Sequence, residues 1–197
     1  NGFAVSSNVV SKQNLTTNGL LTDQAKTSWA TQVGYTTDQW SVSTIVNQKY
    51  NGWTDGYYES LGHTSSNFTE GVTNFSAVGL RGWWRPLETG TATPAISLGY
   101  DTTAHDGAPE ASNNSTAWFA GLTWQDMLRA DDRIGIAFGQ PTMNEDEANK
   151  PFAYEAYYEF KANDSITITP TIFGGTNRNG ADGDDVFGTI LQTTFKF

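Results

Sequence analysis

Apolar and polar residues alternate along most of this chain with a period of two, the spacing of a strand whose two faces meet different surroundings. From Lys26 to Tyr35, the set Trp29, Thr31, Val33 and Tyr35 alternates with Ser28, Ala30, Gln32 and Gly34. Residues 36–39 read as a tight turn, after which Trp40, Val42, Thr44 and Val46 alternate with Ser41, Ser43, Ile45 and Asn47. That pair predicts a hairpin. The same pattern recurs over 74–84, 94–102, 116–125, 132–139, 151–161, 165–173 and 185–197, with a short stretch at 2–10. About ten strands are expected, and no segment reads as a helix.

The expected connections alternate in length. Short ones (36–39, 126–131, 162–164) take turns with long ones (11–25, 51–73, 103–115, 140–150, 174–184), and 85–93 is intermediate. Long loops at one end and short turns at the other are the plan of an outer-membrane barrel. Aromatics sort by depth on this plan. Trp29, Tyr50, Tyr100, Trp118, Phe138, Phe152, Tyr154 and Phe187 fall near the long-loop ends of their strands. Tyr35, Trp40, Trp84, Trp124, Phe160, Phe195 and Phe197 fall near the short-turn ends. Val33, Val42, Val78, Leu98, Ala120, Ile136 and Ile168 lie between. A bilayer demands such a sorting, because Trp and Tyr prefer the headgroup level. A soluble β-sandwich also alternates, but has no reason to sort its aromatics into two bands. The predicted fold is therefore all-β, a transmembrane antiparallel up-and-down β-barrel, one domain over 1–197. Closure is expected because an open edge in lipid leaves backbone groups unpaired. Pro170 sits inside a strand pattern and predicts a bulge or a nearby rim.

Composition narrows the classes. The 197 residues suit one domain, and there is no cysteine for a disulfide or thiolate site. Acidic residues number 21 against 11 basic, a net charge of −10, which argues against nucleic acid as a partner. Seven Trp, eight Tyr and eleven Phe are far more aromatic mass than a disordered acidic chain carries. No apolar run is long enough for a transmembrane helix. The chain starts at Asn1 without a leader, so a preceding segment is expected to have been removed or to belong to a longer protein.

Candidate chemistry is sparse. His63 and His105 are the only histidines, and no zinc spacing, P-loop or dinucleotide fingerprint occurs. No catalytic residue, metal or cofactor is expected. Charged residues at inward strand positions are Lys49, Arg81, Asp101, Arg133, Glu155, Glu159 and Lys161. They either create a field that filters solutes in a pore or tie neighbouring strands together. Glu155 and Glu159 share a face and as a pair would attract cations. Small inward residues (Ser97, Gly99, Gly121, Thr123, Gly135, Ala137, Gly139) suit a passage better than a plug. The outer loops are markedly acidic, led by Glu145, Asp146, Glu147, Asp182, Asp184 and Asp185. They would concentrate cations at a mouth, aid solubility, or bridge divalent cations to lipopolysaccharide. Asp182–Asp185 has oxygen ligands at a calcium-like spacing but lacks the later Glu of an EF-hand.

The end of the chain, Thr193-Thr194-Phe195-Lys196-Phe197, resembles the terminal signal of bacterial outer-membrane proteins, in which the barrel assembly machinery reads a final Phe. SAVGLRGWW (76–84), PAISLGY (94–100), AWFAGLTWQD (117–126), RIGIAFGQP (133–141), FAYEAYYEFK (152–161) and SITITPTIFG (165–174) resemble the barrel of cyanobacterial porins in the carbohydrate-selective (OprB-like) superfamily. That resemblance covers some four fifths of the chain. It implies a barrel of about sixteen strands, a homotrimer in the Gram-negative outer membrane, and passive diffusion of inorganic ions, carbohydrates or other small polar solutes. The family also carries an N-terminal wall-binding segment not found here, so the expectation is the C-terminal part of such a porin. Two other readings stay open: a small closed barrel with a binding or hydrolytic site in its outer loops using His63 or His105, and a secreted soluble β-sandwich binding module.

Overall fold

The computed structural model describes residues 1–12, 25–51, 74–106, 114–145 and 147–196. Ten antiparallel strands form one up-and-down sheet in which each strand pairs with its neighbours in sequence. They are β1 (Gly2–Lys12), β2 (Lys26–Thr36), β3 (Trp40–Tyr50), β4 (Asn74–Trp84) and β5 (Ala95–Asp106), then β6 (Asn114–Gln125), β7 (Arg133–Asn144), β8 (Phe152–Asn163), β9 (Ile166–Thr176) and β10 (Val186–Phe195). Every expected strand is present. The one helical element among the described residues is a 3-10 turn, Arg178–Gly180, between β9 and β10, where the sequence pattern predicts none.

Several strands outrun their alternation at the long-loop end. Strand β5 continues through Thr103, Ala104 and His105, and β9 through Gly174 and Gly175. Ladder hydrogen bonds need only backbone, so pairing persists where the apolar pattern has stopped. Strand β7 makes the same point more sharply. Its alternation is read only over 132–139, yet the strand runs on through Pro141 to Asn144, with its register against β6 shifting between Thr116 and Trp118. The extra residue of that bulge absorbs a proline that cannot donate to the ladder. Pro170 is handled differently: its strand pairs continuously with β10, while the ladder to β8 lapses opposite it, at Tyr158 and Glu159.

The barrel expected from the sequence is not closed. Strand β1 pairs only with β2 and β10 only with β9, so both outer edges are open. Alternation and short turns dictate each strand's neighbour, and neither dictates how many strands make a ring. Among the described residues no second sheet packs on this one, and the buried hydrophobic residues are only Ala25, Ala77 and Met143. The architecture is a single wall rather than a sandwich around a core.

Register assigns every strand residue to one of two faces, since directly paired residues point the same way. The first face carries Phe3, Val5, Val33, Tyr35, Val42, Leu80, Leu98, Tyr100, Trp118, Ile136, Phe138, Tyr154, Ile172 and Leu191, linked strand by strand through the register. Among its described residues the single charged side chain is Asp106, at the loop end of β5. The second face carries Lys26, Lys49, Arg81, Asp101, Arg133, Glu155, Glu159 and Lys161.

Aromatics on the first face lie in two oblique belts. Near the short turns, Phe3 and Tyr35 are 4.7 Å apart, Tyr35 and Trp40 5.5 Å, and Tyr158 and Phe160 5.3 Å between ring centroids. Near the long loops, Trp118, Phe138 and Phe152 lie within 6.2–6.5 Å of one another. The row of register partners that starts at Phe3 on β1 reaches β10 at Phe187. The short-turn belt, by contrast, meets β10 at Phe195. With about 3.4 Å per residue and about 4.8 Å between strands, that drift amounts to a slope of about 30°. Strands tilted in a bilayer would produce such a drift if the belt followed the membrane plane, for which tilts of about 35–45° are usual.

The short-turn end is knitted together. The Thr37 hydroxyl accepts the N–H of Trp40 at 2.9 Å and of Gln39 at 3.2 Å. Arg85 donates to the Asp38 carbonyl at 2.7 Å, and the Trp124 indole donates to the Ala92 carbonyl at 2.9 Å. Lys161 pairs with Asp131 at 2.9 Å. These bonds tie each of three short connections to the connection or strand beside it.

Candidate functional site

All seven charged candidates share the second face, but they do not form opposing rows. Arg81 on β4 pairs with Asp101 on β5 at 2.7 Å and also donates to the Tyr100 carbonyl at 3.3 Å. Its guanidinium lies 5.6 Å from the centre of the Phe119 ring. Arg133 and Glu159 are direct register partners on β7 and β8, 3.6 Å apart. Lys161 reaches the turn carboxylate of Asp131. These are bonds between adjacent strands or between a strand and its turn, and they cancel charge locally. Lys49 is buried at 4% exposure. Glu159 faces Arg133, so the Glu155–Glu159 combination leaves Glu155 as the exposed carboxylate with no ion pair or hydrogen bond among the described residues.

The small residues of this face have a purpose the sequence conceals. Gly99 lies under the Phe119 ring, Gly135 under Tyr157 and Gly188 under Phe173, so a Cβ at any of the three would strike an aromatic ring. Gly139 approaches the backbone of Trp118 and Phe119 on β6. Most of these glycines make room for neighbouring rings and backbone, not for an empty passage. We expect Gly135→Val to lower stability by about 1–3 kcal/mol through overpacking. Adding Tyr157→Ala should restore most of the loss; a urea midpoint unchanged by Gly135→Val would refute the contact.

The leaning rings leave a groove. Phe119 tips toward β5 and Phe173 toward β10, so a space of about 630 Å³ opens between them. Its floor is Ala137, Gly139 and Ala153, with Glu155 beside them, and Ile190 extends the Phe173 wall.

At the long-loop end, several acidic residues serve their own loop. Asp184 receives Arg178 through Nε at 3.2 Å and Nη2 at 3.3 Å, and the Asp185 carboxylate accepts the N–H of Asn177 at 3.2 Å. Asn149 and Asn177 reach across to the Gly180 and Lys150 carbonyls at 3.2 and 3.1 Å, joining the loops before β8 and β10. Asp182 and Glu145 are exposed, and Glu147 is half-buried. Among the described residues no three His, Asp or Glu side chains converge as a metal site. Asp146, His63 and Phe197 lie outside the described residues, as does the side chain of His105; Phe195 is on the first face at the end of β10.

One residue that carries much of the local structure escaped the pattern. Asp132, 1% exposed, accepts the N–H groups of Met127, Leu128 and Arg129 at 2.9, 3.1 and 2.9 Å, and the Tyr158 hydroxyl at 3.1 Å. It shapes the β6–β7 turn, with Asp126 and Asp131 both at positive φ (58° and 62°). Hydrogen bonds from the Thr89 hydroxyl and then from the Asp131 N–H hold the Asp126 carboxyl below the usual carboxylate range. The signal was present in the sequence as Asp126 and Asp131-Asp132 bracketing the turn, the residue type that bonds its own backbone. No family model, no curated protein and no solved structure matches the chain.

Proposed function

We propose that this chain forms part of the wall of a Gram-negative outer-membrane porin, of the kind its strand motifs resemble, which passes inorganic ions and small polar solutes by diffusion. The supporting observation is the division of the sheet. One face is apolar, bears a single rim carboxylate among its described residues, and is crossed by two oblique aromatic belts; the other holds the remaining charges of the described strands. So large an exposed apolar face marks a surface meant for lipid or a partner. In hydrocarbon the open edges of β1 and β10 would leave backbone groups unpaired. Further strands would complete the ring, and a ring of about sixteen strands, the number the resemblance implies, leaves a water-filled interior. The reading requires no cofactor and no energy source. It takes outer-membrane lipid and the barrel assembly machinery as partners, with a homotrimer as the assembly that the resemblance implies.

The test is planar-bilayer conductance of the full-length protein, measured with its intact mass. Large stable steps, with a mass well above 21.5 kDa, are the expected result. A mass near that value without conductance would reject the porin and return attention to the outer loops.

A further inference from the structure

Two carboxylates of the polar face are neutralised by an arginine on the neighbouring strand, and the third, which is not, is informative. Asp101 is held by Arg81 and Glu159 by Arg133. Glu155 is exposed and lacks an ion pair or hydrogen bond among the described residues. It stands on the edge of the groove whose far wall is the internally neutralised Arg81–Asp101 pair over Phe119, and whose near wall is Phe173 with Ile190. The groove thus offers one uncompensated negative charge beside apolar and aromatic surface.

We propose that this groove is a subsite for an organic monocation, an ammonium or guanidinium group carried on an apolar body. The cationic head would sit on Glu155, and the body would lie on Phe173 and Ile190. A carboxylate and a ring face attract the same cation, the ring through its negative quadrupole face. The wall opposite discriminates by charge: Arg81 already occupies the Phe119 ring and presents its own guanidinium, so the cation is directed to the Glu155 side. A space of about 630 Å³ admits a body the size of a substituted benzene ring with room for water. An inorganic cation alone would leave the apolar wall unused. An anion would meet Glu155 directly.

The assignment deepens the porin reading and depends on it only for the route by which solute arrives. The probe is phenethylammonium, with phenylacetate as the anionic counterpart, tested on full-length protein in a planar bilayer. Phenethylammonium should interrupt the current and phenylacetate should not. Glu155→Gln should weaken the block about tenfold, while Glu88→Gln, in the β4–β5 link outside the groove, should leave it unchanged. A conducting channel that phenethylammonium fails to block, or whose block Glu155→Gln leaves intact, overturns the subsite and spares the channel. Absence of conductance overturns the channel instead. In that case titration calorimetry of the detergent-solubilised protein decides: saturable phenethylammonium binding lost in Glu155→Gln sustains the subsite, and no binding ends it.

Discussion

Val33→Arg is expected to lower folding stability in lipid vesicles by about 2–4 kcal/mol, the cost of a charged residue at the middle of a bilayer. Gln32→Arg, one residue away, should change it by no more than about 0.5 kcal/mol. The two positions share a strand and a depth and differ only in face. Val33 pairs with Val5 and Thr44 on the apolar side, and Gln32 with Ser6 and Ile45 on the polar side. Depth supplies a second arm. Tyr50→Arg, at the long-loop end of β3 on the apolar face, should cost only about 0–1 kcal/mol, because the penalty falls toward the interface. Reversible urea unfolding in phosphatidylcholine vesicles, followed by tryptophan fluorescence, measures all three. Equal effects at 32 and 33 would remove the lipid-facing assignment. Equal effects at 33 and 50 would point to a protein partner covering the face, since a protein interface has no depth gradient set by headgroups.

Asp132→Ala should be the most damaging change at the short-turn end, lowering stability by about 3 kcal/mol. Three backbone N–H groups lose their acceptor together, and the Tyr158 hydroxyl on β8 loses its partner in the turn. Exposed neighbours such as Leu128 let water recover part of the loss, which keeps the total below the sum of separate unsatisfied groups. Asp132→Asn keeps carbonyl acceptance and loses the charge, so its effect should be smaller. Tyr158→Phe removes one bond and leaves the turn standing. A double-mutant cycle between Asp132→Asn and Tyr158→Phe should give a non-zero coupling. An Asp132→Ala variant that unfolds like the parent would mean that the turn is shaped by its ends alone.

Much of this was legible along the chain. The hairpin from Lys26 to Asn47 needs only period-two alternation and a turn, and the register pairs Val33 with Thr44 and Tyr35 with Val42 as one apolar face. The seven charged candidates fall on one side for the same reason: alternation fixes parity, and parity fixes face. Strand β7 outruns its expected end at 139 because pairing past Pro141 depends on a bulge against the partner strand, which alternation within β7 does not encode. Gly99 and Gly135 misled because a small residue reads as space until the ring leaning over it is known. Arg81, Arg133, Glu159 and Lys161 were identifiable as charges in a row, but which opposite charge each meets depends on strand order.

The sequence by itself therefore determined the strands, their two faces and where along the strands the aromatics fall, because these follow from local periodicity and the physics of a pleated backbone. The tertiary structure decided the rest: the open edges of β1 and β10, the pairing that isolates Glu155, the bulge at Pro141 and the turn built on Asp132. Each of these depends on what a neighbouring strand or turn brings alongside, and no spacing within one strand encodes that.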